Sequence, residues 1–367
     1  MLVSKNTSSV FIVCLKVLLR AKKFTFFFLF LVLCPLYIII NYLFLILDNL
    51  FFHRYHKQKV KKPIFIMGFN RSGTTFFHHL LSRSEQFTTS TTWNFIIPSI
   101  LLRKLIWVIR PFLKFLKFDK LERKKRGHRV GLDDIEEDEM LFFLHRLDSL
   151  WLSNHLIPWM KFDKKYKLFT QTLYIDSEQN RANNYNSIVF LKDFWKRQLY
   201  LNSEKQILSK SNPFIFRINT IKKVFPDAKI IFIVRDPAET IASFFSMQER
   251  MKFGNKLNAQ ELKLYRAEAY QEIINWYKET EKAKVFLNEN DYLVLKYEEL
   301  VSSLYASVEK TFEFINDDMS KEFKEMVSKK SSLKYRKNHQ NKTIDDFGFT
   351  KKQIKDDFDF VYDEYFS

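Results

Sequence analysis

The chain has 367 residues, with 60 Lys and Arg against 42 Asp and Glu, and a formal net charge of +18. This length allows one large domain or two small ones, and the charge favours an anionic partner: nucleic acid, a phosphorylated cofactor or an anionic membrane face. Both cysteines, Cys14 and Cys34, lie in the apolar N-terminal region, which excludes a disulfide or a thiolate metal site elsewhere.

Residues 24–52 form an almost wholly apolar segment, interrupted by few polar residues, among them Asp48. The segment is long enough to cross a bilayer as one tilted helix, while Pro35 also permits a kinked or re-entrant anchor. Basic residues flank both ends, so the positive-inside rule only slightly favours a cytoplasmic C-terminal domain. No small-residue cleavage site follows, which argues against a removable signal peptide. We therefore predict a membrane-anchor region over residues 1–61 and a folded domain over residues 62–367.

The pattern from residue 63 to residue 81 predicts a strand, a tight polar loop and a helix. The loop contains Gly68 and Gly73, two of only six glycines in the chain. Unpaired N–H groups at a helix start bind an anion without a metal, and the eight histidines show no zinc-type spacing, so we expect no metal. The glycine spacing is that of a P-loop, but Thr74 stands where the lysine should be. Without that lysine a triphosphate loses its main point charge, whereas Arg71 can serve a single 5′-phosphate-like group.

Residues 95–118 predict a second amphipathic element. Its polar residues recur at steps of three, four and seven, and so share one helical face: Ser99, Arg103, Arg110, Lys114 and Lys117. A cationic stripe on a broad apolar helix suits a membrane headgroup layer, and a helical lid packed on the core is the equal alternative. Because Pro98 and Pro111 interrupt the pattern, we expect two short helices.

A basic stretch then runs directly into an acidic block at residues 133–139. Such blocks are usually solvated loops and helix starts, where carboxylates complement the helix dipole. The functional alternative is that one of the carboxylates, or His128 before them, acts as a general base.

Residues 229–234 are predicted to form a buried strand of a parallel sheet. A helix start follows, with Asp236 as N-cap and Pro237 at the first helical position. Arg235 ends the strand and Ser243 lies about two helical turns further on. Because ligands bind at the carboxyl ends of strands in doubly wound sheets, this arginine and hydroxyl can clamp a second phosphate. The alternatives are a surface salt bridge for Arg235 and magnesium ligation by Asp236, as in an ATPase.

A third strand is predicted at residues 292–297, before another acidic helix start. Alternating helices and apolar strands indicate one α/β domain of roughly 300 residues behind the anchor. The predicted fold class is therefore α/β, with a P-loop-like central parallel sheet flanked by helices and preceded by an N-terminal membrane-anchoring helix.

Two of these motifs resemble the cofactor motifs of sulfotransferases. Residues 65–75 are similar to the family's 5′-phosphosulfate loop, which usually ends in Arg/Lys-Ser-Gly-Thr-Thr, and Arg235-Asp236-Pro237 with Ser243 is similar to its 3′-phosphate motif. The acidic block resembles that of the bacterial-type branch, and the likeness covers about residues 62 to 365. It implies transfer of a sulfuryl group from 3′-phosphoadenosine 5′-phosphosulfate (PAPS) to an acceptor hydroxyl.

The resemblance also implies roles for single residues. The 5′-phosphosulfate would be held by Arg71, Ser72, Gly73, Thr74 and Thr75. Arg71 would also stabilise charge on the leaving oxygen. The 3′-phosphate would be held by Arg235 and Ser243.

The chain differs from the family pattern at the position expected for the general base. The branch often shows Trp-Glu after the first helix, where this chain has Trp93-Asn94. His128, Glu136 and Glu137 therefore become the candidate bases by elimination. The family's Lys-x-Pro segment is also altered here, which puts any role for Lys210 in doubt.

Three functions stay open at this point: a membrane-anchored sulfotransferase, a P-loop kinase or NTPase that Thr74 disfavours, and a membrane-associated binding protein that has lost catalysis. The expected partners are a lipid bilayer and a hydroxyl-bearing acceptor, either a lipid or a membrane-bound glycan, and not nucleic acid. The predicted domain has no cysteine, and the sequons, among them those at Asn6 and Asn341, are few enough to be chance. Both features favour a bacterial inner membrane with a cytoplasmic catalytic domain over a Golgi membrane.

Overall fold

A computed structural model of the chain describes residues 5–115, 131–165, 176–177, 180–202, 205–250, 257–332 and 341–367. The strands are β1 (Ile64–Met67), β2 (Phe87–Thr88), β3 (Gln206–Lys210), β4 (Lys229–Val234) and β5 (Tyr292–Lys296). The helices of the first half are α1 (Lys5–Arg20), α2 (Phe24–Phe51), α3 (Thr74–Leu81), α4 (Thr92–Ile96), α5 (Ile100–Phe115), α6 (Glu139–His145) and α7 (Arg181–Leu201). Those of the second half are α8 (Ile218–Val224), α9 (Pro237–Arg250), α10 (Ala259–Phe286), α11 (Tyr297–Ser302), α12 (Leu304–Ile315), α13 (Lys321–Ser331), α14 (Lys351–Asp357) and α15 (Asp359–Tyr365).

The strands form one sheet in the order β2-β3-β1-β4-β5. β1 pairs in parallel with both β3 and β4, and β4 pairs in parallel with β5. The register places Ile66 beside Lys210 on one side and beside Ile231 on the other. The predicted α/β class with a central parallel sheet is confirmed, and the loop after β1 leaves the middle of the sheet at its carboxyl edge.

The central strands are apolar on both faces, as expected for a parallel sheet covered by helices. All four residues of β1 are buried, and so are the last five of β4. Apolar residues of α3, α11, α12 and α13 pack on the sheet: Phe77, Leu80, Leu81, Leu300, Leu304, Val308, Phe312, Phe323 and Val327. This core fixes the base of the loop between β1 and α3.

Contacts divide the chain into two compact units, each made of separate segments. The first unit contains Met1–Lys61, Thr88–Ile207 and Phe216–Pro226. The second unit contains Lys62–Phe87, Leu208–Ile215 and Asp227–Ser367. The division into an anchor region (1–61) and a domain (62–367) stays a prediction.

Within the first unit, α2 covers nearly the whole apolar segment predicted from the sequence. Among the described residues it is the one helix that is long and apolar enough to cross a bilayer. The helix continues through Pro35. α1 packs against it, with the rings of Phe11 and Phe30 stacked 5.3 Å apart.

Asp48 of α2 is a fully buried carboxylate that holds the start of α5. It accepts hydrogen bonds from the Ser99 hydroxyl and from the backbone N–H groups of Ile100 and Leu101, each at 2.9 Å. The Arg197 guanidinium donates to the same carboxylate at 3.0 Å. Asp48 therefore caps α5 and pairs with its positive end, as a carboxylate does at a helix N-terminus.

The prediction for residues 95–118 is partly wrong. The chain breaks at Pro98, but α5 continues through Pro111, which gives up one backbone hydrogen bond without ending the helix. The first two residues of the predicted polar stripe are buried. Ser99 donates a hydrogen bond to Asp48, and Arg103 donates to the backbone carbonyls just before α5. Lys117 lies outside the described residues.

Candidate active site

Two glycines allow the loop after β1 to close tightly. A Cβ atom on Gly68 would lie 2.5 Å from the Ser72 Oγ and 2.7 Å from the carbonyl oxygen of Ile233. Gly73 has φ +90°, and a Cβ there would lie 2.8 Å from the ring of Tyr297. Both positions therefore require glycine, one for close packing and the other also for its left-handed backbone.

The loop closes on the carbonyl of Phe69, which accepts from the Ser72 hydroxyl at 2.7 Å and from the Ser72 N–H at 3.1 Å. α3 begins directly afterwards, at Thr74. The first N–H groups of a helix have no carbonyl partner within the helix, and they carry the positive end of its dipole. Ser72 and Thr74 are buried, whereas Arg71 and Thr75 are exposed. The predicted loop residues thus form a tight turn at a helix start, the kind of geometry that can bind an anion, and we call it the anion-binding turn for this predicted role.

Lys210 lies next to this turn, although the sequence left its role in doubt. Its Nζ donates a hydrogen bond of 2.9 Å to the Thr75 hydroxyl. The lysine is nearly buried at the carboxyl end of β3, and the pairing of β3 with β1 brings it there. A cation from a neighbouring strand thus stands close to the loop that has Thr74 in place of the P-loop lysine. Only knowledge of the strand order could have indicated this.

Arg235 is held against the back of the loop. It donates from Nη1 to the carbonyl of Arg71 at 2.8 Å and from Nη2 to Glu239 at 3.1 Å. Its guanidinium lies over the ring of Tyr297, 4.3 Å from the centroid, and its own carbonyl accepts from the Tyr277 hydroxyl at 2.8 Å. Because the arginine is buried and bonded to the loop backbone, the alternative of a simple surface salt bridge does not describe it.

The predicted N-cap of α9 is confirmed. One carboxylate oxygen of Asp236 accepts from the backbone N–H of Glu239 at 2.9 Å. Among the described residues, no cluster of three or more His, Cys, Asp or Glu side chains could hold a metal ion. The helix start explains Asp236 without magnesium, and the expectation of metal-free chemistry stays a prediction.

The two predicted phosphate motifs meet through side chains. The Nε of Arg71, from the first motif, donates to the hydroxyl of Ser243, from the second, at 3.1 Å. Arg235 bonds the backbone of the same Arg71. The second unit therefore brings Arg71, Arg235 and Ser243 into one cluster beside the anion-binding turn, and this arrangement can bind a ligand with two separate anionic groups.

Two further contacts support the turn from outside the predicted motifs. The side-chain amide of Asn212 donates to that of Asn70 at 2.6 Å, and the Trp276 indole donates to the Asn212 backbone carbonyl at 3.1 Å.

In α3, the Nε2 of buried His78 lies 3.3 Å from the carbonyl of Leu208. Burial, with a smaller effect of nearby Lys210, lowers the pKa of His78 to about 3, so the imidazole is neutral and can donate to that carbonyl.

The candidate bases belong to a different part of the chain. Glu136 and Glu137 lie in the first unit, both half-buried, and His128 lies outside the described residues. Glu139, further along the same block, is fully buried, and burial raises its pKa to about 7 against the opposing effect of Arg217. The roles of His128, Glu136 and Glu137 as bases stay predictions.

Asn94, which replaces the expected carboxylate, has a structural role. Its side-chain oxygen accepts from the N–H of Thr91 at 2.9 Å, and the Thr91 hydroxyl in turn accepts from the Asn94 N–H. This reciprocal pair is a capping box at the start of α4. An amide serves this purpose as well as a carboxylate does, so the substitution leaves the local fold intact.

Comparison with known proteins gives consistent matches. A family described as the sulfotransferase family matches residues 63–320. The omega-hydroxy-beta-dihydromenaquinone-9 sulfotransferases of Mycobacterium bovis and Mycobacterium tuberculosis are each 24% identical over 260 residues, which is 69% of this chain and 62% of the relative. The match thus spans less than two thirds of these relatives. A 3-beta-hydroxysteroid sulfotransferase of Cavia porcellus is 23% identical over 185 residues, 45% of this chain and 64% of that relative.

Two solved structures share the fold. Sulfotransferase STF1 from Mycobacterium tuberculosis superposes with a TM-score of 0.66 at 17% identity, covering 97% of this chain and 93% of its own. Sulfotransferase STF9 from Mycobacterium avium superposes with a TM-score of 0.63 at 16% identity, covering 87% of this chain and 80% of its own.

Proposed function

Because the chain belongs to the sulfotransferase family, we propose that it transfers a sulfuryl group from PAPS to the hydroxyl of a lipid acceptor at a membrane surface. The observation that carries this proposal is the cluster of Arg71, Arg235 and Ser243 beside the turn at the start of α3. PAPS bears a phosphosulfate and a separate phosphate. The cluster offers two arginines, a hydroxyl and a helix start to match them.

In the proposed reaction, the acceptor oxygen forms a bond to sulfur as the bond between sulfur and the bridging phosphate oxygen breaks. The acceptor proton passes to a base, for which His128, Glu136 and Glu137 are candidates. The leaving bisphosphate carries the electron pair of the broken bond. Arg71, Lys210 and the N–H groups of the turn stabilise that charge, so electrostatic stabilisation and positioning supply most of the rate.

A lipid hydroxyl is the acceptor that best fits the relatives and the N-terminal helix. The name of the mycobacterial relatives specifies a hydroxylated menaquinone derivative, and that of the Cavia porcellus relative a hydroxysteroid. The exposed apolar surface of α2 suits attachment to a bilayer, where such an acceptor dissolves. We place the protein at a bacterial inner membrane with its catalytic residues on the cytoplasmic side.

The decisive binding test compares Arg235→Ala with Arg266→Ala as a matched control. Arg266 belongs to the same unit, but among the described residues it pairs with Glu249 and not with the loop after β1. Loss of a charge-assisted contact costs about 1.5–3 kcal/mol, so Arg235→Ala should weaken binding of 3′-phosphoadenosine 5′-phosphate roughly 10- to 100-fold without magnesium. Isothermal titration of both variants measures this. Stabilisation by magnesium ATP but not by the bisphosphate would instead indicate a P-loop NTPase.

The acceptor class needs a separate experiment. Membranes are incubated with the protein and PAPS labelled on its sulfur, and the lipids are then extracted with organic solvent. We expect label in the lipid fraction with wild-type protein, and much less label with Arg235→Ala when PAPS is kept below the concentration that would saturate the variant. Label confined to water-soluble products would contradict a lipid acceptor while leaving sulfuryl transfer intact.

A further inference from the structure

The helix α2 has one face packed on protein and a much broader face open to its surroundings. Its buried residues recur at helical spacing, at Ile38, Asn41, Leu45 and Asp48. Large exposed apolar side chains follow the other side along the whole helix: Phe24, Phe28, Val32, Leu36, Ile39, Leu43, Ile46 and Leu50. A water-facing helix normally carries polar residues on its exposed side. This face therefore needs an apolar covering along its full length.

Contacts with the rest of the first unit run from one end of α2 to the other. Just before the helix, Arg20 of α1 pairs with Asp163 at 3.0 Å, and Lys23 lies 4.9 Å from the ring of Trp159. At the middle of the helix, the Tyr37 hydroxyl donates to the carbonyl of Ile96 at 2.7 Å.

The C-terminal end of α2 is fixed in the same way. Asp48 pairs with Arg197, and Phe52 lies edge-to-face with the ring of Tyr200 at 6.2 Å. α2 is thus attached to the body of the first unit at its middle and at its C-terminal end, and the residues just before it are attached as well.

The neighbouring helix α5 shows the same unusual orientation. Its first turn is fixed to Asp48, and its inner side contains buried Ser99 and Arg103. Its exposed side chains are mostly large and apolar: Leu105, Trp107, Val108, Ile109, Phe112 and Phe115. A helix with a buried arginine and a largely apolar exposed side differs from a normal surface helix, and it suits a surrounding of lipid.

These contacts are incompatible with α2 crossing a bilayer. With 28 residues the helix is about 42 Å long, and the hydrocarbon core is about 30 Å thick. A crossing position would carry partners such as Asp163 or Arg197, together with the polar body around them, into the membrane, where charged groups are expensive. We propose that α2, with α5 beside it, lies in the plane of a single leaflet and attaches the protein to one side of the membrane.

The charges beside α2 specify lipid as the occupant of its apolar face. Lys22 and Lys23 precede the helix, and Arg54 and Lys57 follow it. Basic residues at both ends match one anionic headgroup layer, which attracts such residues to its surface. A spanning helix is instead oriented by unequal charge at its two ends.

This placement refines the membrane attachment proposed above and rests on it. An acceptor hydroxyl would then be taken from the leaflet in which α2 lies. The following tests measure how deep the helix lies and on which side of the membrane its ends are, and they do not measure catalysis. A result against the in-plane helix is therefore distinguishable from a result against sulfuryl transfer.

Three positions of α2 form a matched set of depth probes. Phe28, Ile39 and Leu50 are each eleven residues apart, share one face, and are 61%, 62% and 69% exposed. Each is changed to Cys in a Cys14→Ala, Cys34→Ala background and labelled with a nitroxide. The protein is placed in vesicles of phosphatidylcholine with one part in three phosphatidylglycerol. Electron paramagnetic resonance with oxygen and a nickel chelate as collision partners then gives the depth of each label.

An in-plane helix predicts the same shallow depth at all three labels. A spanning helix predicts that residue 39 is deepest and that residues 28 and 50 lie about 16.5 Å away along the helix, toward opposite surfaces, and this result would overturn the proposal. Labels that meet neither oxygen nor nickel would show the face buried against a second copy of the chain, which also overturns it. Circular dichroism confirms that each labelled variant is folded.

A second measurement needs no substitution. Trypsin is added to sealed right-side-out and inside-out membrane vesicles that contain the wild-type protein. An in-plane helix predicts that cleavage at residues 22–23 and at residues 57–62 occurs from the same side. Cleavage of the two sites from opposite sides contradicts the proposal, even if the cysteine variants fail to fold.

Discussion

At the scale of single residues, Lys210 stands beside the turn that Thr74 leaves without its own cation. The lysine reaches Thr75 from the adjacent strand, beside the turn where the proposed reaction would place the negative charge of the leaving group. The side chain is buried and its ammonium group is held by a hydrogen bond, so the position of this group needs to change little during reaction. We infer that Lys210 contributes to turnover more than to binding of the bisphosphate product.

For Lys210→Met we expect turnover to fall about 100- to 1,000-fold, as happens when one preorganised donor is removed, with a much smaller change in bisphosphate affinity. Lys229→Met is the matched control, because Lys229 begins β4 at the opposite edge of the sheet. Single-turnover kinetics measure the loss of turnover, and titration with 3′-phosphoadenosine 5′-phosphate measures the loss of affinity. Equal loss of turnover and of affinity in Lys210→Met would indicate a role in binding only.

His78 couples the stability of α3 to pH. Burial holds its folded-state pKa near 3, whereas an unfolded histidine titrates near 6.5. Between these values the unfolded state binds more protons, so the free energy of unfolding falls as the pH drops from 6.5 toward 3, by at most about 1.4 kcal/mol per pH unit.

His78→Gln should therefore flatten the pH dependence of the free energy of unfolding between pH 6.5 and pH 4. The amide can still donate to the carbonyl of Leu208. His79→Gln, at the exposed neighbouring position, should leave the slope as in the wild type. Urea titrations at several pH values measure the slopes, and identical slopes in all three proteins would rule out this coupling.

At the scale of secondary structure, Asp48 determines the orientation of two helices. It is the one acidic residue in a largely apolar helix, and it satisfies the first N–H groups of α5 as well as Arg197. Arg197 in turn donates to the Tyr55 hydroxyl at 2.7 Å and lies 4.2 Å from the centroid of the Tyr55 ring. The charge pair thus connects α2, α5 and α7 in the first unit.

Asp48→Ala should lower the free energy of unfolding by about 3–5 kcal/mol, because it leaves the buried Arg197 without its partner. The paired variant Asp48→Leu, Arg197→Met should recover part of this loss, since it removes both charges. Thermal unfolding in detergent measures each variant. A double variant that is less stable than Asp48→Ala would show that the cap of α5 matters more than the charge pair.

At the scale of the whole molecule, the features that local patterns determine were predictable. β4 and β5 follow from apolar runs between charges, and the turn after β1 follows from glycine placement. The place of Lys210 depends on the order of strands from distant parts of the chain, which no local pattern contains. The contact of Arg71 with Ser243 joins residues 172 positions apart. The first turn of α5 is held by a single carboxylate in another helix, and no local pattern could indicate that Ser99 and Arg103 at the start of the polar stripe are buried.

The first unit also contains residues that the sequence assigned to a separable anchor. Because Met1–Lys61 shares this unit with Thr88–Ile207, removal of residues 1–61 deprives Ser99 and Arg197 of Asp48. We expect the fragment 62–367 alone to aggregate or to unfold without cooperativity, and co-expression of residues 1–61 as a separate chain to restore folding. Light scattering and thermal melting test this. A soluble fragment with the bisphosphate affinity of the full chain would support a separable anchor.

The central place of β1 has a consequence for biosynthesis. Its partner β4 ends at Val234, 167 residues after Met67, so at 5–20 residues per second the ribosome needs roughly 8 to 33 s to supply it. During this interval the apolar strand has no completed sheet to join, while α2, made earlier, can already meet lipid. If α2 attaches to lipid as proposed above, the order of synthesis lets that attachment precede completion of the sheet around β1, which waits until β4 emerges.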